Sequence, residues 1–162
     1  MTSEGAAAGL SLRPVRDDDR DFLYRVYAGT RLEELKLATD WSAEQKEQFL
    51  RQQFAAQDAY YRENYPGAEW SVVLRHGEPA GRLYVHRRPA EIRLMEIALL
   101  PEHRGCGLGT ALLEELMAEA RATARPLTIH VEVYNPALRL YERLGFRKRE
   151  DKGVYWLMEW TP

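Results

Sequence analysis

Arg104-Gly105-Cys106-Gly107-Leu108-Gly109-Thr110 is the most informative stretch of the chain. It follows an apolar run, Ile92 to Leu100, that Pro101 ends. It precedes a helical pattern over Gly107 to Ala120, carried by Leu108, Leu112, Leu113, Leu116 and Met117. Glycine at this density lets backbone N–H groups converge on one point. The start of the helix behind them adds roughly half a positive charge. Together these predict an anion site suited to a pyrophosphate. Two familiar phosphate loops do not fit. A Walker A loop needs lysine before its Ser or Thr, and here Gly109 precedes Thr110. A dinucleotide fingerprint needs G-x-G-x-x-G and an acid about 20 residues on. The spacing here is G-x-G-x-G, and Pro126 and Leu127 stand where the acid should be.

Outward from that loop the chain alternates strand and helix signals. Upstream, Met1 to Gly9 is a small, polar stretch that reads as a frayed tail, and Leu10, Leu12 and Val15 suggest a first strand. Asp17, Asp18 and Asp19 offer capping and first-turn charge for a helix with Leu23, Val26 and Tyr27 on its apolar side. Gly29-Thr30 is expected to interrupt it before Arg31 to Leu37. Ser42 with Gln45 is a capping-box start for a long helix to Tyr65, with Gln53 and Gln57 set among Leu50, Phe54, Tyr61 and Tyr65. Trp70 to Arg75 and Gly81 to Arg87 flank a turn at His76-Gly77-Glu78 and read as a hairpin. Downstream, Leu127 to Tyr134 alternates as a strand, Asn135-Pro136 opens a short helix to Leu144, and a hairpin around Asp151-Lys152-Gly153 closes the chain. The expectation is α/β: a three-layer mixed sheet of about 6–7 strands flanked by about 4 helices, one domain over residues 10–162.

Composition agrees. The chain has 162 residues, enough for one domain with a real core, and is 45% hydrophobic and 30% charged. Lys and Arg total 23 against 25 acidic residues, which removes the electrostatic reason to expect nucleic acid as a partner. No apolar run approaches the roughly 18 residues of a membrane span, and the start has no secretory pattern, so a cytoplasmic location is expected. Cys106 is the single cysteine, so neither a disulfide nor a structural zinc site is expected, and no metal.

Arg104, Gly107 and Gly109 form R-x-x-G-x-G, and Asn135-Pro136-Ala137-Leu138-Arg139-Leu140-Tyr141-Glu142-Arg143-Leu144-Gly145-Phe146 follows at a distance. These two motifs, on these elements, resemble the acyl-coenzyme A loop and the Asn-to-Tyr-to-Gly-Phe segment of the GNAT superfamily of N-acetyltransferases. The resemblance runs over about residues 10 to 160 and implies the GNAT fold with acetyl-CoA as co-substrate. It implies that Ile97, Ala98, Leu99 and Leu100 offer backbone contacts to the pantetheine arm. It implies that Arg104, Gly105, Cys106, Gly107, Leu108, Gly109 and Thr110 bind the pyrophosphate, mainly by N–H groups. Asn135 joins those contacts. Arg139 and Arg143 are either partners of the ribose phosphate or a solvated helix face.

Tyr141 stands where the family often uses a tyrosine hydroxyl to protonate the leaving thiolate. Its other reading is a core tyrosine of a short helix. The amine must lose a proton before it attacks, and two acids are candidates. Glu132 alternates with Val131 and Val133 and shares a face with His130 and Tyr134. Glu96 sits within the apolar strand Leu94 to Leu100, where an unpaired charge is costly. A salt bridge to one of the many arginines is the plainer reading of either. Cys106 and His130 read as filler and packed strand residue. Tyr24, Tyr27, Arg31, Glu34, Trp41, Gln53, Gln57, Tyr60 and Asp151 are candidates for the acceptor side.

The function expected is acetyl transfer from acetyl-CoA to a primary amine by direct attack. A small-molecule or protein amine is the partner, with no nucleic acid and no membrane, and a homodimer is left open. A noncatalytic acyl-CoA-binding module on the same fold is the alternative.

Overall fold

The computed structural model describes residues 9–162. The tail expected over Met1 to Gly9 lies outside the described residues except for Gly9, whose carbonyl accepts from His76 N (2.8 Å).

The strands are β1 (Leu10–Pro14), β2 (Glu69–Arg75), β3 (Glu78–Arg87), β4 (Ile92–Leu99), β5 (Leu127–Glu132), β6 (Arg147–Asp151) and β7 (Tyr155–Trp160). The helices are α1 (Arg20–Leu35), α2 (Ala43–Asn64), α3 (Leu108–Thr123) and α4 (Leu138–Arg143). Among the described residues one mixed sheet holds seven strands in the order β1-β2-β3-β4-β5-β7-β6, and only β4 and β5 pair parallel.

Apolar spacing sorts the helices onto the two faces. Val26 and Tyr27 of α1 and Leu50 and Phe54 of α2 pack with Val72, Ala98 and Leu100 on one face. Leu112, Leu113 and Leu116 of α3 and Tyr141 of α4 pack with Leu83, Leu94, Ile129 and Met158 on the other. Three layers result, as expected from the element order. The Ser42 capping box forms, with Gln45 N donating to Ser42 Oγ and Gln45 Oε1 accepting from Ser42 N.

Local readings are corrected in several places. Helix α1 runs unbroken through Gly29-Thr30, and Thr30 Oγ1 donates back to Tyr27 O (2.6 Å). Gly29 serves a close approach instead: a Cβ there would lie 3.3 Å from Pro101 and 3.4 Å from the Arg104 guanidinium. Strand β5 ends at Glu132 rather than Tyr134, because Asn135 N turns back to Glu132 O. Gln53 is exposed and lies outside the buried stripe of α2.

Two irregularities of the sheet shape the site. Strands β4 and β5 pair only where Ile92, Arg93 and Leu94 meet Leu127, Thr128 and Ile129. Beyond that point β4 stays with β3 to Leu99 and β5 stays with β7 to Glu132, so a gap opens between them. The second is a bulge. Leu94 pairs with Val85 and Glu96 with Tyr84, which leaves Met95 as the extra residue. Strict alternation would put Glu96 on the face of Leu94. The bulge turns it to the opposite face, under α2.

Candidate active site

Gly107 caps α3 with φ +86°, a left-handed conformation that glycine adopts without strain, and Gly105 has φ +73°. No side chain caps the helix, and the first intrahelical backbone bond there is Ala111 N to Gly107 O. The N–H groups of Leu108, Gly109 and Thr110 are therefore left facing outward at the positive end of the helix. They open on a cleft of about 760 Å³ that also takes in the β4–β5 gap, Glu96, Glu132 and Tyr141. A second cleft, of about 670 Å³ between β1 and α2, shares none of these residues.

Most of the predicted cofactor residues line the first cleft: Ile97, Ala98, Leu99, Arg104, Gly105, Gly107, Leu108, Gly109, Thr110, Asn135 and Arg143. Leu100, Cys106 and Arg139 do not. Leu100 N donates to Ala80 O, so alternation directs the backbone of Leu100 and Ala98 at β3 and that of Ile97 and Leu99 at the gap. Cys106 Sγ donates to His103 O at 3.1 Å, a bond that ties the loop to the preceding turn. Arg139 is exposed on α4. Arg104 lines the cleft and also reaches back to the sheet. Its Nε donates to Leu99 O (3.0 Å), so it bridges the loop to the free edge of β4. Asn135 Oδ1 accepts from Ala137 N (2.8 Å), which commits that oxygen to the turn before α4.

The three predicted catalytic side chains converge on the gap from two sides. Tyr141 packs edge-on to Phe146 with ring centroids 5.5 Å apart, on the α3–α4 face. It is 4% exposed, and its hydroxyl has no hydrogen-bond partner among the described residues. Burial, and then the charge of Glu96, push its pKa well up, so the hydroxyl carries its proton at neutral pH. Glu132 and Glu96 approach from the α1–α2 face. Arg31 Nη1 of α1 reaches Glu132 Oε1 at 3.4 Å while holding Glu34 at 3.0 Å. Glu96 Oε2 faces Arg82 Nη2 at 3.1 Å, so the salt-bridge reading holds for both acids.

Of the acceptor-side candidates, Tyr27, Arg31, Glu34 and Gln57 line the cleft. Tyr24 is buried against Phe54, and Trp41 packs edge-on against Phe49. Tyr60 points to solvent, and Asp151 accepts from Gly153 N within its own hairpin. Sequence reasoning missed Tyr61, Tyr134 and Tyr155 at the cleft. Tyr61 was findable, since it lies one helical turn after Gln57. Tyr134 and Tyr155 come together only because β5 pairs with β7. The Glu132 carboxylate raises the pKa of the Tyr134 hydroxyl. His130 also lines the cleft, but burial, Arg93 and Lys152 lower its pKa, which keeps it neutral.

Known proteins carry the same architecture. The model of the acetyltransferase (GNAT) family matches residues 34–146. The PaiA N-acetyltransferase of Thermoplasma acidophilum, solved in complex with coenzyme A, superposes with a TM-score of 0.69 at 17% identity, over 94% of this chain and 99% of that one. The ribosomal-protein-S18-alanine N-acetyltransferase of Escherichia coli does so with a TM-score of 0.62 at 22% identity, over 94% and 93%. In sequence, the [ribosomal protein bS18]-alanine N-acetyltransferase of Haemophilus influenzae is 34% identical over 67 residues, 41% of this chain and 46% of that protein. The match thus spans about half the length of that relative. The chain belongs to the acetyltransferase (GNAT) family.

Proposed function

We propose that the protein transfers an acetyl group from acetyl-CoA to a primary amine by direct attack. One observation carries this reading: the β4–β5 gap has carboxylates on one face of the sheet and a protonated tyrosine on the other. An amine arriving from the α1–α2 side meets Glu96 and Glu132 and attacks the acetyl carbon in the gap. The bond from carbon to sulfur breaks toward Tyr141. The unbonded N–H groups of residues 108–110 hold the pyrophosphate, and the edge of β4 at Ile97 and Leu99 lies along the arm.

The two carboxylates are not equivalent. Glu96 Oε2 already receives Arg82, with Gln57 and Tyr61 at the limit of bonding distance. Glu132 has the long contact to Arg31 and the neighbouring Tyr134 hydroxyl at the open side of the cleft. Glu132 is the freer acceptor for the amine proton, directly or through water, and Glu96 is the anchor for the ammonium group. Opposite, the Tyr141 hydroxyl faces an uphill transfer. A thiol resembling cysteine has a pKa of about 8.5 and an ordinary tyrosine about 10. Tyr141 therefore acts chiefly by hydrogen-bonding the thiolate as charge develops, and the proton shed by the amine completes the thiol.

The acceptor class is a primary amine, and the relatives whose names specify an alanine of a ribosomal protein bring protein α-amines into it. Free-thiol release from acetyl-CoA should be followed with a diamine, lysine, an aminoglycoside and an alanine-started peptide. Turnover with at least one is expected. Binding of coenzyme A without turnover on any would replace this reading with a noncatalytic module.

A further inference from the structure

Arg82 of β3 is 2% exposed, the most deeply buried charge among the described residues. Taking a guanidinium out of water is costly, and apolar packing usually serves stability as well as a buried ion pair does. Arg82 Nη2 donates to Glu96 Oε2 (3.1 Å) and to Gln57 Oε1 (2.8 Å), and the rings of Tyr84 and Tyr27 lie 5.2 and 5.9 Å from its Cζ. Gln57 Nε2 reaches the same Glu96 oxygen at 3.5 Å. The Tyr61 hydroxyl is shared between Glu96 Oε2 (3.4 Å) and Met95 O (3.3 Å). Every one of these donors goes to Oε2. Oε1 has no partner among the described residues, and Glu96 lines the cleft. The Glu96 side chain is 22% exposed against 2% for Arg82, so Oε1 is the atom of the pair that the cleft reaches.

We propose that Arg82, braced by Gln57 and Tyr61, is a positioning residue that aims the free Oε1 of Glu96 at the acceptor ammonium and so sets acceptor affinity. The proposal rests on the transferase reading above. The cluster ties three elements together at one atom: β3 through Arg82, α2 through Gln57 and Tyr61, and the bulge through the Met95 carbonyl. A glutamate has three freely rotating bonds, and this clamp removes that freedom before the amine binds.

A double-mutant cycle separates this role from a structural one. The probe is the panel amine with the highest kcat/KM. Glu96→Gln should raise its KM about ten- to hundredfold, the range of a charge-assisted hydrogen bond, with kcat changed less. Arg82→Met should raise KM by a similar factor, and Arg82→Lys should recover part of the loss. The double variant Arg82→Met, Glu96→Gln should be no worse than Glu96→Gln alone, with acetyl-CoA affinity by calorimetry within a few-fold throughout. If Arg82→Met does not fold, Gln57→Leu supplies the second arm, raising KM in the parent and leaving it unchanged in the Glu96→Gln background. Multiplying losses in either cycle, or parent KM in Glu96→Gln, would overturn the positioning role while the transferase reading stood. Absence of turnover on every amine would remove both.

Discussion

The two ends of the cleft are built from different material. The end proposed to take the donor is backbone: glycines 105 and 107 in left-handed conformations, three N–H groups at the start of α3 without an intrahelical partner, and the free edge of β4. The end proposed to take the acceptor is side chain: Tyr27 and Arg31 from α1, Gln57 and Tyr61 from α2, Glu132 from β5, Tyr155 from β7. A backbone site asks of the sequence only that it permit a conformation, so few residue types satisfy it and they cluster in one stretch. A side-chain site can be assembled from any elements the fold brings together. The donor end is accordingly one contiguous motif, and the acceptor end is scattered over more than a hundred residues.

Tyr141 is where the two ends meet, and changing it should have the largest effect. Tyr141→Phe keeps the buried ring and its contact with Phe146, so the fold and acetyl-CoA affinity should hold within a few-fold. kcat should fall by about 10² to 10⁴, the usual worth of a positioned acid. Burial raises the hydroxyl's pKa, so the parent stays protonated above pH 10 and kcat should show no alkaline loss from this group. Parent-level turnover by the phenylalanine variant would make Tyr141 a packing residue and break the link between the ends.

At the acceptor end, Glu132→Gln should lower kcat/KM near pH 7 by about ten- to a hundredfold. An alkylamine with a pKa of about 10.4 is only about one part in a thousand neutral at pH 7, a deficit of roughly 4 kcal/mol that the carboxylate offsets in part. The sign follows from that source. As pH rises to 9 or 10, solvent deprotonates the amine and the variant should approach the parent. A loss that stays constant with pH would mean that the amine is deprotonated before it binds.

At the donor end, Gly107→Val should weaken acetyl-CoA about tenfold, near 1.4 kcal/mol, by adding a branched side chain at φ +86°. Acceptor KM should move little. Calorimetry giving unchanged acetyl-CoA affinity would sink the loop assignment. A rise in acceptor KM as large as the loss of donor affinity would show that the two ends are not separable.

Residue periodicity by itself determined the order of strands and helices, the three layers and the faces of α2 and α3, because each follows from local spacing of apolar side chains. The glycine stretch determined the shape of the loop for the same reason: left-handed turns and an uncapped helix start are local. Even there the tertiary structure intervened, since Gly29 proved to be a contact point for the Pro101–Arg104 turn rather than a helix break. Arg104 Nε bonds Leu99 O, a contact fixed by where β4 ends rather than by the loop itself.

Only the tertiary structure decided what Glu96 faces. Alternation along β4 puts it with Leu94 in the core, and one extra residue, Met95, reverses that. The bulge is defined by two strands in register, and neither strand alone reveals it. Arg82, Gln57 and Tyr61 stood in the sequence without a common purpose until β3, β4 and α2 met. Their meeting depends on long-range pairing, and pairing over that distance is set by the sum of all the packed faces rather than by any one segment.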